Sequence, residues 1–273
     1  MAQSRTENLW MERFARMGYA ARGVVYAVVG VLAVQTALGT RGARRAAATT
    51  DTRGALQEVA AHSIPLLWLL AVGLFAYAVW RAAQGLLDRE RKGSGLKGLA
   101  HRLGRLFTAV VYGSLGLAAV RLALGAHRRA SADAHATQEW TARLMGEPFG
   151  RWLVAAVGVG VIAGGFYQLW RGWTEKFKQE IRLQEMDSGE SRLAIHAGKL
   201  GLMARGVVFL ISGWFLVQAA VKTDPRQVRG LSGALAVLAA QPHGAILLGL
   251  VAVGLVAFGA WSLLLARYGR IVA

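Results

Sequence analysis

Arg22 and Arg205 open two apolar runs at matching points, in GYAARGVVYAVVG (18–30) and GLMARGVVFLISG (201–213). A guanidinium there has three available chemistries: anchoring to lipid phosphate, hydrogen bonding between helices, or holding an anion in a cytoplasmic vestibule. Each arginine follows a glycine by four residues and precedes an aromatic ring, Tyr26 or Phe209, by four. Guanidinium and ring therefore share one helical stripe. A topology anchor is the plain reading. Recurrence at one point of an otherwise drifting sequence adds a packing constraint, and predicts that Arg205→Ala weakens the fold more than loss of an exposed arginine such as Arg270.

A third copy, GRLFTAVVYGSLG (104–116), keeps Gly104, Val110, Val111, Tyr112 and Gly116 but carries Thr108 in place of the arginine. The repeat motif is thus Gly18, Tyr26 and Gly30, then Gly104, Tyr112 and Gly116, then Gly201, Phe209 and Gly213. Near the other ends of these helices the same offsets align Gln35, Arg121 and Gln218. Amide and guanidinium groups are unfavourable in lipid without partners, which predicts bonds between helices or a polar pathway. Gln35 lies thirteen residues beyond Arg22 and, at about 100° per residue, on another face. The two polar layers need not line one tunnel.

Other chemistry finds little support. None of the six histidines falls in the middle of an apolar run, which weakens a haem reading, and His62, His127, His135 and His243 lack metal-ligand spacing. Acidic residues are confined to the connections, so no intramembrane carboxylate offers a proton relay. There is no cysteine, no phosphate-binding loop and no serine, histidine and acid constellation. No metal, no cofactor and no enzymatic activity are expected.

The elements that must position the arginines are membrane helices. Apolar residues make up 55% of the 273 and mean hydropathy is +0.38, above the share of a soluble domain. Six runs are read as spans: 23–40, 59–80, 106–120, 152–170, 206–221 and one within 230–266 that starts near Pro242. The third and fifth are short, so their flanking basic residues must enter the membrane or snorkel. The net charge of +17 sits in the connections, where membrane orientation explains it better than nucleic acid. Of the 32 Lys and Arg residues, 20 fall on the side of both termini and 12 on the other. This predicts a multi-pass membrane protein with N- and C-termini cytoplasmic. Residues 1–12 are read as a cytoplasmic amphipathic segment, with a helix over 8–17 flat on the leaflet and anchored by Leu9, Trp10, Phe14 and Met17. Trp68, Trp152, Trp170 and Trp173 are read as an interfacial belt.

The second helices repeat too. Gly73, Tyr77 and Trp80 match Gly160, Gly164 and Tyr167, then Gly254, Phe258 and Trp261, each trio on one face. Pro65, Pro148 and Pro242 mark the starts of these helices. Glycine-rich faces such as Gly160 with Gly164, and Gly23 with Gly30, permit close helix packing. The Arg-Gly and Val-Val-Tyr pattern ending in glycine, in three copies of two helices, resembles the bacterial membrane family catalogued as domain of unknown function 1206. The resemblance covers 13–92, 99–180 and 193–273, and implies a polytopic inner-membrane protein without an established activity. The middle copy departs from it by losing both the arginine and the following glycine.

The fold expectation is an all-α polytopic integral membrane protein, six transmembrane helices in three parallel-oriented helical-hairpin repeats with a pseudo-threefold arrangement. The domains are 13–92, 99–180 and 193–273, following the segment 1–12. Two functions compete. One is a conduit or carrier for a small polar, anionic solute; the other is a non-transporting accessory or scaffold subunit that organises a membrane complex or binds anionic lipid. The expected partners are anionic lipid headgroups at the cytoplasmic face, and another membrane protein or further copies of the chain, with no nucleic acid.

Overall fold

Long apolar runs become helices because hydrocarbon offers the backbone no outside hydrogen-bond partner. A computed structural model describes residues 2–39, 52–86, 95–125 and 141–270. Its principal helices are α1 (Ala2–Ala37), α2 (Thr52–His62), α3 (Ile64–Leu86), α4 (Leu96–Ala123), α5 (Gly150–Trp173), α6 (Ser188–Lys222), α7 (Leu231–Ala239) and α8 (Gly244–Tyr268). Six are long and apolar enough to cross a membrane: α1 from Glu12, α3, α4 from Arg102, α5, α6 and α8. The helices with short apolar runs extend well past them, to Arg102–Ala123 and Ser188–Lys222, so Arg105 and Lys199 lie on span helices. Trp68, Trp152, Trp170 and Trp173 are exposed on the outside of the bundle.

No separate amphipathic helix forms over 8–17. Helix α1 runs unbroken for 36 residues, about 54 Å. Nothing before Gly18 breaks a helix, and Glu12 pairs with Arg16 one turn later at 2.7 Å. Arg16 also donates to the Arg267 carbonyl at 2.7 Å, so the extension is fastened to the end of α8. Phe14 and Met17 are exposed; the Leu9 and Trp10 side chains, like His127 and His135, lie outside the described residues.

The three most extensive seams obey one rule. Helices α1 on α8, α4 on α3, and α6 on α5 each place the first helix of a repeat on the second helix of the preceding repeat, counted cyclically. The contacts repeat in detail: a Cβ at Gly23 would meet Leu263 and the Gly259 carbonyl, and one at Gly206 would meet Leu169 and the Gly165 carbonyl. Six spans in three repeats thus follow each other in the order α4, α3, α1, α8, α6, α5.

Within a repeat the pairing is unequal. Helix α1 packs on α3 and α6 packs on α8, but α4 and α5 form no such seam. The hairpins of repeats 1 and 3 are closed, whereas, among the described residues, repeat 2 is splayed and the ring is open between α4 and α5. The residues give the reason. A Cβ at Gly73 would sit 2.6 Å from the Ala21 methyl, and Gly254 faces Ala204 in the same way. The counterparts in repeat 2 are Gly160 and Phe107, and a phenyl ring cannot occupy the space of a methyl. Likewise Gly18 lies on Tyr77 and Gly201 on Phe258, while Gly104 has only Gly164 as its counterpart. Gly104 and Gly160 open onto empty space, so the expected packing role of Gly160 within its pair with Gly164 is not realised.

The prolines act differently among repeats. Pro65 is the second residue of α3, but Pro148 and Pro242 stand ahead of α5 and α8. Each is followed by a positive-φ residue, Phe149 or His243, and then by a glycine. At Gly150 and Gly244 a Cβ would run into the carbonyl of the preceding turn, Leu144 or Ala239.

The end of the bundle holding the start of α1 and the end of α8 is closed by the chain between α5 and α6. Phe177, fully buried, packs on Trp261 at 5.1 Å, and Ile181 bridges Gly269. Asp187 caps α6 by accepting from the Glu190 backbone N–H at 2.7 Å. Lys178, with Lys199 behind it, holds the Glu175 carboxyl below its ordinary range.

Candidate functional site

Helix α1 brings Arg22 inside the ring, 5% exposed, where its donors meet two other helices. Its Nη1 donates to the Tyr77 hydroxyl on α3 at 2.8 Å, and its Nε to Ser262 Oγ on α8 at 3.2 Å. The Ser262 hydroxyl donates its hydrogen bond to the Phe258 carbonyl at 2.8 Å, which leaves its oxygen free to accept. Arg81, one turn beyond Tyr77, sends Nε and Nη2 to the same hydroxyl at 3.0 and 2.8 Å, and Nη1 to Gln84 Oε1 at 3.2 Å. One phenol oxygen therefore joins two guanidinium groups.

Arg205 on α6 completes the group without a hydrogen bond to any described residue. Its guanidinium lies 4.8 Å from the Phe209 ring centroid, 4.9 Å from Phe258 and 5.6 Å from Tyr26. Arg22 also stands 4.9 Å from Phe258, and 4.8 Å from Tyr19. Phe258 thus carries two guanidinium groups. Tyr77 and Phe258, at matching repeat positions, bind Arg22, Arg81 and Arg205 into one layer.

None of these three arginines is ion-paired to a carboxylate among the described residues. The field of Glu180 reaches Arg81 and Tyr19, but its carboxylate pairs with Arg171 at 2.6 Å. Burial of a charge costs several kcal/mol per ion, whereas a ring face returns about 0.5–2 kcal/mol. The rings offset part of that cost, and the mutual repulsion of three cations adds to it. An incoming anion would lower both terms.

Two polar atoms in the layer have no hydrogen-bond partner among the described residues. They are Arg205 Nε and the Tyr112 hydroxyl. The Tyr112 ring, on α4, packs against Tyr77 at 4.7 Å, and its hydroxyl lies in the fields of Arg22 and Arg205. The repeats differ at both partners of this arginine: Arg22 gives Nη1 to Tyr77 and Nε to Ser262, whereas Arg205 meets Phe258, which has no hydroxyl, and the counterpart of Ser262 on α5 is Gln168.

Arg22 and Arg205 are brought together as their spacing suggested, although the neighbours of Arg205 are aromatic rather than polar. Thr108 does not join them; its hydroxyl donates back to the Gly104 carbonyl at 2.8 Å. Gln35, Arg121 and Gln218 form no part of the layer, since thirteen residues of helix separate each from its repeat's arginine or threonine position, about 20 Å. Arg121 is exposed, while Gln35 and Gln218 are half-buried. Of the motif residues, Gly18, Gly30, Gly201 and Gly213 are buried in seams, Gly116 lies against Phe75, and Tyr26 sits edge-on to Phe258 at 4.8 Å.

Arg81, Ser262 and Gln168 were not singled out from the sequence. They share a signal there: each stands eight residues after its repeat's glycine, Gly73, Gly254 or Gly160. Their different residue types conceal the equivalence. Gln168 is buried like Ser262.

Three segments of the chain, 17–88, 103–175 and 200–269, match the family model described as Domain of Unknown Function (DUF1206). An uncharacterized protein of Bacillus subtilis (strain 168), YxxB, is 34% identical over 261 residues, covering 95% of this chain and 91% of the relative. No solved structure matches. With most of its length matched in three tandem copies, the chain belongs to this family.

Proposed function

We propose that this member of the family is a carrier for an anionic group, which it binds in the arginine layer within the bacterial inner membrane. The supporting observation is a set of three arginines without a carboxylate partner among the described residues, beside an orphaned Arg205 Nε. A carrier fits better than an open conduit, because Tyr26, Tyr77, Tyr112 and Phe258 are buried and packed ring against ring beside the arginines. Catalysis has no part in this reading, since the layer offers hydroxyl and guanidinium groups without a nucleophile and base pair.

The test is a panel of anions on purified protein in phosphatidylcholine nanodiscs: sodium chloride, sulfate and phosphate, and phosphatidic acid added to the disc. At least one is expected to raise the apparent Tm, and Arg205→Met, which keeps a stem against the three rings, is expected to abolish the rise. No response to any member would sink the anion reading.

Orientation is part of the proposal. With both termini cytoplasmic, Lys176→Cys should be protected from an impermeant maleimide in intact cells and Gln241→Cys labelled. The opposite pattern would invert the topology. A second reading, a scaffold subunit in a membrane complex or homo-oligomer, draws on α5, whose Trp152, Phe166 and Trp173 are exposed along a helix that packs chiefly on α6. Stoichiometric co-purification with another membrane protein, without an anion response, would favour it.

A further inference from the structure

The break in the ring lies beside the orphaned donors. On one edge stands α4, with Tyr112 4% exposed and its hydroxyl unpartnered. On the other stands α5, where a Cβ at Gly164 would lie 3.7 Å from Phe209, the ring that carries Arg205 at 4.8 Å. Repeat 2 is stripped of what fills the other repeats at this level: Thr108 replaces the arginine, and Gly164 replaces Tyr77 or Phe258. The flanks of the gap are apolar, with Phe107 (52% exposed) and Val111 on α4, and Gly160 and Tyr167 on α5.

We infer that the anion is the phosphate headgroup of an amphiphile, which enters sideways from the bilayer between α4 and α5. This rests on the anion reading of the arginine layer. Buried aromatic rings pack on one another beside the arginines and leave little room there for a hydrated ion, whereas the gap runs between two helices long enough to span the membrane. The phosphate meets Tyr112 O–H from α4, at one edge of the gap, and Arg205 N–H from α6, which packs behind α5 at the other; its several acceptor oxygens suit convergent donors better than the one or two of a simpler anion. The hydrocarbon chain stays between Phe107 and Gly160, in contact with lipid, so its apolar surface never has to cross the polar layer.

The experiment uses full-length protein in phosphatidylcholine nanodiscs, with phosphatidic acid in one arm and inorganic phosphate in the other. Phosphatidic acid at a hundredfold excess over its Kd should raise Tm by about 5 °C, and inorganic phosphate should not. Arg205→Met should remove the rise, and so should Gly160→Trp, which fills the gap at a position with open space. Gly160→Leu is the parallel plug, and either plugged variant must first match the lipid-free Tm of the native chain. A phosphatidic acid response that persists in the plugged variant, or in Arg205→Met, would overturn lateral binding in favour of headgroup contact at the surface. An equal response to inorganic phosphate, lost only in Arg205→Met, would overturn the lipid inference and leave the anion reading standing. No response in either arm would overturn the lipid inference, and the anion reading would fall with it only if chloride and sulfate were silent as well.

Discussion

Gly201→Ala is expected to lower the apparent Tm by roughly 6–12 °C, and Gly104→Ala, at the same point of the preceding repeat, to leave it unchanged or raise it slightly. A methyl on Gly201 would stand 2.5 Å from Phe258 Cα and 2.6 Å from Phe258 N. Both are backbone atoms, so no rotamer change relieves the overlap and α6 must move off α8. Overpacking of this kind costs about 3 kcal/mol or more, since the whole seam loses contact when two helices separate. At Gly104 the same methyl meets open space and helix propensity gains up to about 1 kcal/mol. Thermal scans in one detergent compare the two. Equal losses would mean that the seam of repeat 2 is closed in the membrane.

Arg22→Ala should cost about 3 kcal/mol, while Arg22→Met should recover at least half of that. The alanine variant loses two hydrogen bonds, to Tyr77 and Ser262, and the stem that fills space between Tyr19 and Phe258. Tyr77 keeps its bonds from Arg81, so no hydroxyl is orphaned there. Methionine restores the volume and removes one of three like charges, which offsets the lost bonds. Equal losses for alanine and methionine would show that the hydrogen bonds dominate. Arg205→Ala should still cost more than Arg270→Ala, through lost packing on three rings, because Arg270 is exposed.

The parts of this arrangement legible in the sequence are those where residue type and position recur together. Arg22 and Arg205 qualify, and both guanidinium groups lie against the Phe258 ring. Arg81, Gln168 and Ser262 hold equivalent places under three different identities, so neither type nor similarity flagged them. The opening in repeat 2 was written in the series Ala21, Phe107 and Ala204, but its meaning depends on which helices touch. A repeated small-residue face can pair within a repeat or between repeats, and periodicity does not choose. The continuous α1 was missed for a simpler reason. The amphipathic pattern over 8–17 reads as a helix lying on the leaflet, apart from the span at 23–40, whereas Glu12 and Arg16 neutralise each other one turn apart and the helix runs on.

The bond from Arg22 to Ser262 crosses 240 residues of chain. At the roughly 5–20 residues per second of synthesis, α1 enters the membrane about 12–48 s before α8 exists. During that interval its buried guanidinium has Tyr77 but not Ser262, and the carbonyls that receive Arg16 have yet to be made. The nascent first hairpin must hold an unfinished polar contact in lipid for that time. Closure of the ring by the last helix is then the step that commits the whole chain to its native topology, and chains that stop short of α8 would present Arg22 to the membrane's quality-control proteases.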